Sequence, residues 1–517
     1  MKKLLLITAL LAIANLYSEQ ASEAENTELQ NDKTQTTVEQ TEESSSRLLV
    51  LLSGYLENDL ELQQNALSVQ QSKLTQKTTK INNGIDISLQ TGTVTLSKSG
   101  NSTRFTAYPS VTVSVPQAAG LKLTGSTSIT PEVSSVSSTY AQDFKLKAQA
   151  DIISETAANR KVTLIKAERS VLEARRNLQN RAVEAEQEFY ESLKKIFTNY
   201  CTVLEAQKTL YDDEIDFQTI KAQGYGTSSS KYRLAELQVV SDRRTINEAL
   251  RVLEKDTAVF ASKCGLSFES TSSVDDTEKM LSQIASFLPE SIMEVSAIEI
   301  GSLKKENYTD IENAEWNLYI NDLTRKADKE FGLNVYGGYT FSNLNTKTDT
   351  TDIGFGLSWR GITTSFGVGL PTGANASSSS PAVTFSVSLS PSSFFLRSIT
   401  KQQYELSSKQ DELALKSAES DYETSIISQE TSIRNTLWNK ISNTESYKMY
   451  FDLEADLRKY YDLGLVAESE YLQAKVNRDD YFYKCLINNI DVLIYNAETK
   501  LLFINDEELN GESNEKK

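Results

Sequence analysis

Apolar positions recur every seventh residue along much of this chain. Ala182, Phe189, Ile196, Val203, Leu210 and Phe217 keep that spacing, with Leu193, Tyr200 and Leu204 between them. Tyr232, Val239, Ile246, Leu253 and Phe260 resume it after a glycine, and Val476, Tyr483, Ile490 and Ala497 repeat it near the C-terminus. Ile426, Ile433, Tyr450 and Leu457 mark the preceding segment less regularly. A period of seven predicts helices that pack along a left-handed seam. No Gly or Pro lies between Pro131 and Gly224, nor from Ser392 to Leu463. The pattern therefore predicts long helices over 155–223 and 392–463, each about 100 Å long at ~1.5 Å per residue. Each ends at a glycine, Gly226 or Gly464, and turns into a second helix.

Between the helical runs the period changes to two. Leu333, Val335, Tyr339 and Phe341 alternate with Asn334, Tyr336 and Thr340, and Ile353, Phe355, Leu357 and Trp359 alternate with Gly354, Gly356, Ser358 and Arg360. The stretches 362–370 and 382–390 do the same. In the first half, 85–96, 105–115, 121–129 and 144–152 form a matching set. Strict alternation predicts strands with one apolar and one small polar face. Short helices are expected before each set, at 48–78 and 307–327.

The order of elements thus occurs twice: short helix, strands, long helix, glycine turn, helix. The turn glycines 226 and 464 are 238 residues apart. The expected class is an α+β membrane protein. Long antiparallel helical coiled-coil hairpins join antiparallel transmembrane strands in an internal duplication. The expected segments are a signal peptide (1–18), an acidic disordered leader (19–46), a first repeat (47–265, tip at 224–230) and a connector (266–306). A second repeat (307–505, tip at 463–469) and an acidic tail (506–517) follow.

Composition narrows the chemistry. Among 517 residues there is no histidine, and the formal net charge is −18. Without histidine there is no Ser-His-Asp or Cys-His dyad and no His-ligated metal or haem. The three cysteines, Cys201, Cys264 and Cys485, are far apart and form no CxxC. No metal, cofactor or catalytic constellation is expected, and no phosphate loop occurs among the glycines. The acidic balance argues against a nucleic-acid partner. Met1-Lys2-Lys3 followed by an apolar run to Leu16 and a small Ser18 predicts an export signal. No other apolar run is long enough for a spanning helix, so membrane passage requires a closed barrel of strands.

Two segments carry a family resemblance: Gly226-Thr-Ser-Ser-Ser-Lys-Tyr-Arg-Leu-Ala-Glu-Leu237 and Leu463-Gly-Leu-Val-Ala-Glu-Ser-Glu-Tyr-Leu-Gln-Ala474. The second resembles the hairpin-tip motif of TolC-type outer-membrane efflux channels. The first is a degenerate copy that lacks aliphatic residues after its glycine. Leu56-Glu-Asn-Asp-Leu-Glu-Leu62 resembles that family's opening helix, and Pro391-Ser-Ser-Phe-Phe-Leu396 its strand-to-helix corner.

The resemblance implies a homotrimer with four strands per chain in a 12-stranded barrel and a periplasmic helical tunnel. It also implies an adaptor (membrane fusion) protein docking at the tips and an inner-membrane pump beyond it. By the same resemblance, Tyr461, Glu470, Gln473 and Tyr232 are aperture residues. Gly226, Leu463, Gly464, Leu465 and Val466 are adaptor-docking tip residues. Val466 stands where the family has a basic residue, and Tyr232 where it has an acid. On a count of four, 84–97, 143–152, 331–341 and 380–391 are barrel strands, and the inner pieces form a hairpin insertion beyond the membrane. The rival count is eight strands per chain. The expected role is a passive export duct. The alternative is an exported structural or adhesive coiled-coil protein with a β head.

Overall fold

A computed structural model describes residues 35–504, except 101, 134–137, 270–276, 343–348 and 373–379. The expected signal peptide, the first part of the leader and the acidic tail lie outside the described residues. Eight α-helices are described: α1 (Gln35–Asn58), α2 (Leu60–Asn82), α3 (Glu155–Ala222), α4 (Ser230–Lys263), α5 (Thr277–Phe287), α6 (Thr309–Ala327), α7 (Pro391–Asp462) and α8 (Glu468–Leu502). The ten strands are β1 (Asp86–Gln90), β2 (Thr95–Ser99), β3 (Ser102–Thr106), β4 (Ser110–Val115) and β5 (Leu121–Val133). They continue as β6 (Ser138–Ile153), β7 (Phe331–Ser342), β8 (Asp349–Trp359), β9 (Ile362–Thr372) and β10 (Ala382–Leu389).

The long helices end within a residue of the predicted boundaries, because nothing in their sequences breaks them. Two expectations at the N-terminal side change. The leader expected to be disordered to residue 46 is helical from Gln35. The single short helix over 48–78 is two helices that meet at Asp59. Asp59 Oδ1 accepts the Leu62 backbone N–H at 2.8 Å, which caps α2. Its other oxygen accepts from Arg181 at 2.6 Å.

The chain divides into two compact units. The first comprises the described residues up to Asn65, with Asn177–Thr309 and Tyr422 onward. Its core is the seam expected from the heptads. Phe189, Leu193, Ile196, Val203, Leu250, Leu253 and Ile490 are buried in one cluster. Phe189 meets Tyr55 and Phe260 at ring centroid distances of 5.6 and 5.4 Å. The expected connector is more than a linker: Met280, Ile284 and Leu288, on and just after α5, are buried in the same core.

The second unit comprises Ala66–Arg176 and Asp310–Asp421 and contains the whole sheet. The sheet runs β1-β4-β5-β6-β7-β8-β9-β10, with β2 and β3 off that path. Every neighbouring pair on the path is antiparallel. The pieces expected to form an insertion beyond the membrane, β4, β5, β8 and β9, are thus members of one continuous path of eight strands. Only the β2–β3 hairpin is an insertion. The expected strand 84–97 is interrupted at Gly92, whose φ is +63° and whose hydrogen faces the Tyr108 carbonyl, where a Cβ would clash.

The register sorts the side chains onto two faces. Ala150, Val335, Phe355, Phe366 and Phe385 lie side by side across five strands. Ile87, Val113 and Leu123 continue that face towards β1. It is apolar to both margins and open: Phe385 is 70 % exposed and Ile87 67 %. The opposite face carries Ser88, Thr112, Thr124, Lys147, Tyr336, Gly354, Gly367 and Thr384. Tyr336 lies flat on that face. A Cβ on Gly354 would fall within 2.5 Å of both the Tyr336 phenol and the Phe366 carbonyl, so that position needs glycine.

In the same unit a buried ion cluster holds α3 to α6. The Arg169 guanidinium, 6 % exposed, grips both carboxylate oxygens of Glu312 and donates to Asn313 Oδ1 at 2.8 Å. Arg176 donates to Glu312 at 2.9 Å, and Trp316 stacks beneath Arg169 with the guanidinium 4.9 Å from its ring centroid. Burial alone would raise the Glu312 carboxyl pKa, but hydrogen bonds from Arg169 and Arg176 hold it below the usual carboxylate range. On the α6–α7 side, Arg325 and Asn321 both bond to Asp411, and Tyr404 donates to Asp328 at 2.7 Å.

Candidate functional site at the hairpin tips

Both tips belong to the first unit. α7 ends in a Schellman turn. The Gly464 N–H donates to the Tyr461 carbonyl at 2.8 Å, and the Leu465 N–H to the Tyr460 carbonyl at 2.9 Å. Gly464 has φ +69°, which only a residue without Cβ adopts freely. Leu463 and Leu465, 71 % and 70 % exposed, flank it. Val466 is half-buried, and α8 starts two residues later with Glu468 and Glu470 in its first turn. Two acids at a helix N-terminus complement the backbone dipole.

The first tip corrects the sequence alignment of the two halves. Its left-handed glycine is Gly224 at φ +80°, not Gly226. The Gly224 N–H donates to the Lys221 carbonyl at 3.0 Å, the counterpart of the Gly464 bond. With Gly224 matched to Gly464, Tyr225 stands where the second tip has Leu465. A bulky residue therefore follows both glycines, but in the first tip it is an aromatic, and Gly226 stands where the second tip has Val466. Gly226 lies in the loop with open space around it. That loop is longer than the second, and α4 begins at Ser230 after Ser229. Counted from the residues preceding α4 and α8, Ser229 and Ala467, Tyr232 and Glu470 occupy the same helical position.

The four aperture candidates are dispersed within one chain. Tyr461 stacks on Tyr471, with centroids 5.5 Å apart and planes 8° from parallel. Tyr232 packs edge-on against Phe217 at 5.1 Å. Gln473 Nε2 donates to Asp212 Oδ1 at 2.7 Å and so joins α8 to α3. Glu470 is exposed. Among the described residues no hydrogen bond or ring contact joins any two of the four. Sequence reasoning chose Gly226 over Gly224 as the turn glycine and singled out neither Tyr471 nor Asp212. Tyr471 was findable as the aromatic ten residues after Tyr461 across a tight hairpin; Asp212 had no signal of its own.

Further along the first hairpin, Asp242 on α4 is buried beside Asp213 on α3. Burial first, and then the shared hydrogen bond and repulsion from Asp213, push the Asp242 carboxyl above its ordinary pKa. Gln238 donates to Asp242 at 3.1 Å and partly opposes that shift. All three cysteines are free, and Cys201 and Cys264 are buried.

Two family models match the chain in order: the TP096X N-terminal domain over residues 51–288 and the TP096X C-terminal domain over residues 293–506. The chain thus carries both TP096X domains. No curated protein matches it. Among solved structures it is similar to the outer-membrane channel OprN at 11 % identity and TM-score 0.45, covering 87 % of this chain and 89 % of that one. It is also similar to the MtrE outer-membrane channel of Neisseria gonorrhoeae at 11 % identity and TM-score 0.44, covering 88 % of each. The Campylobacter jejuni CmeC outer-membrane channel aligns at 12 % identity and TM-score 0.42, covering 90 % and 89 %.

Proposed function

We propose that the protein is a TolC-type outer-membrane channel-tunnel that passively conducts substrates delivered by an inner-membrane pump through a periplasmic adaptor. The observation that carries this reading is the sheet. Eight antiparallel strands carry one largely apolar face and a Ser, Thr, Gly, Lys and Asp face opposite. A soluble sheet buries its apolar face against another layer. Here Phe385, Val387 and Leu389 stand open, as lipid-facing residues do. No described helix is long and apolar enough to cross a membrane.

On this reading the chain is exported after signal-peptide cleavage near residue 18 and assembles as a homotrimer in the outer membrane. The tips, with Leu463, Leu465 and Val466 around Gly464 and with Gly226 in the other loop, face the adaptor. Tyr461, Glu470, Gln473 and Tyr232 line the aperture formed when several copies converge. The motion is an iris-like opening of the tips, without bond chemistry.

Conductance of the purified assembly in planar bilayers tests this. Discrete single-channel steps are expected, and Glu470→Lys is expected to shift ion selectivity while leaving the yield of assembled protein unchanged. A protein that stays in the aqueous phase without detergent and carries no current would instead support the structural coiled-coil alternative.

A further inference from the structure

Three lysines share one patch on the polar face of the sheet. Lys145 and Lys147 are two residues apart on β6. Lys122 on β5 pairs with Gln149, which places it diagonal to Lys147. Neighbours of either kind on one face of a sheet stand about 7–8 Å apart. All three lysines are exposed, and among the described residues none of them forms an ion pair.

Lys147 is the centre of the patch. Thr124 and Gly338 lie directly beside it, and Lys145 and Gln149 precede and follow it on the same face. The diagonal positions hold Lys122, Ser126, Tyr336 and Thr340, so no acid adjoins Lys147 on that face. Its ammonium is 5.6 Å from the Tyr336 ring centroid, a contact that orients the charge without neutralising it. Gly338 puts no side chain on the β7 side, which leaves room next to the ammonium.

The acids of this face stand at the margins of the patch. Asp143 and Asp151 lie beyond the two lysines towards opposite ends of β6. Asp352 shares the row of Lys147 across Gly338, but its Oδ1 leans to the far side, 2.8 Å from where a Cβ on Gly369 of β9 would stand. Asp86 is two strands from Lys122, with Ser114 between them. Like charges on neighbouring positions of a sheet oppose folding. The chain, whose net charge is −18, nevertheless gathers three cations here. An anion with several charges would relieve their repulsion, and the surrounding hydroxyls of Thr124, Ser126 and Thr340 can donate to it as well.

We propose that Lys122, Lys145 and Lys147 form a binding subsite for a multiply charged oxyanion, a condensed phosphate or a polycarboxylate, centred on Lys147. The subsite's part in transport rests on the channel reading. On that reading the face opposite Leu146 and Ala148 lines the duct, and the ligand is a dissolved anion rather than a lipid headgroup. The subsite then acts in series with Glu470 at the second tip: the acid favours cations at the aperture, and the lysines favour polyanions along the strand wall.

The test is calorimetric binding of tripolyphosphate to the purified full chain in detergent at low ionic strength. The patch variant combines Lys122→Gln, Lys145→Gln and Lys147→Gln. A control combines Lys401→Gln, Lys409→Gln and Lys416→Gln, which remove the same charge from α7. The unaltered protein and the control should bind alike, and the patch variant at least about tenfold more weakly. Citrate should compete and acetate should not. Removing like charges relieves repulsion, so the patch variant should keep its circular dichroism and melt no earlier than the unaltered protein. No saturable binding, or equal weakening in the patch variant and the control, overturns the proposal. In planar bilayers under a KCl gradient, the reversal potential of the patch variant should move towards cation preference. Conductance of the unaltered protein separates the two ideas. Binding without current keeps the subsite and removes the duct; current without binding does the reverse.

Discussion

Gln473 on α8 donates to Asp212 on α3 at 2.7 Å, so one aperture candidate is held by the other hairpin rather than by its own tip. A hydrogen bond to a carboxylate at a part-exposed site contributes about 1 kcal/mol. Gln473→Ala and Asp212→Ala should each lower the melting temperature by a few degrees. The double variant should lose little more than either one. Strictly additive losses would show that the two side chains are not coupled in solution.

The two tips respond differently to a side chain. Gly464 and Gly224 hold left-handed backbones, where a β-branched residue costs about 1–2 kcal/mol or more. Gly464→Val and Gly224→Val should both reduce thermal stability and assembled yield. Gly226→Ala should be near neutral, because that residue is not left-handed and open space surrounds it. A costly Gly226→Ala beside a harmless Gly224→Val would restore the alignment on Gly226.

The cluster around Glu312 predicts acid sensitivity. Its folded pKa is depressed, so the stabilisation is present above the ordinary glutamate value and is lost as pH falls through the folded value. Glu312→Gln should flatten the acid side of the stability profile. Arg169→Ala leaves a half-buried carboxylate with one cation fewer and removes the packing over Trp316. It should cost about 3 kcal/mol or more. Denaturant titration from pH 7 down to pH 3 measures both.

Asp242 has the opposite sign. Its pKa is raised in the folded chain, so the pair with Asp213 is best tolerated in acid and loses stability as pH rises through the folded value. Asp242→Asn should raise the melting temperature at pH 7, with the gain shrinking as the pH is lowered. A gain independent of pH would show that packing, not ionisation, is responsible.

The faces of β10 predict a third contrast. Phe385→Asp places a charge on the apolar face, and Ser386→Asp places one on the polar face. If the apolar face meets lipid, the first should reduce outer-membrane recovery several-fold and the second should not. Quantitative fractionation of whole cells decides it.

Much of this architecture was legible because the two periods are physical signatures of the two element types. The heptads from Phe189 to Val203 became a buried seam, and the alternation from Leu333 to Phe341 became a strand with one face apolar. What could not be read depends on information a period does not carry. The stripe of Leu67, Leu74 and Ile81 on α2 has the same spacing as a buried seam yet stands exposed, and sequence says nothing about whether its partner lies in the same chain. Gly224 and Gly226 both stand in one turn, and the sign of φ at each follows from how the helix ends. The number of strands on the path was open because alternation describes each strand alone, while membership of a sheet is decided by pairing.

The alternating path also obeys a parity. β1, β4, β5 and β6 are four traverses that return α3 to the side from which α2 arrived, and β7 to β10 do the same between α6 and α7. Adding or deleting one strand would send the following helix out at the opposite end of the strands. Change in this sheet must therefore come in twos, and the β2–β3 hairpin, inserted between β1 and β4, is one such permitted increment.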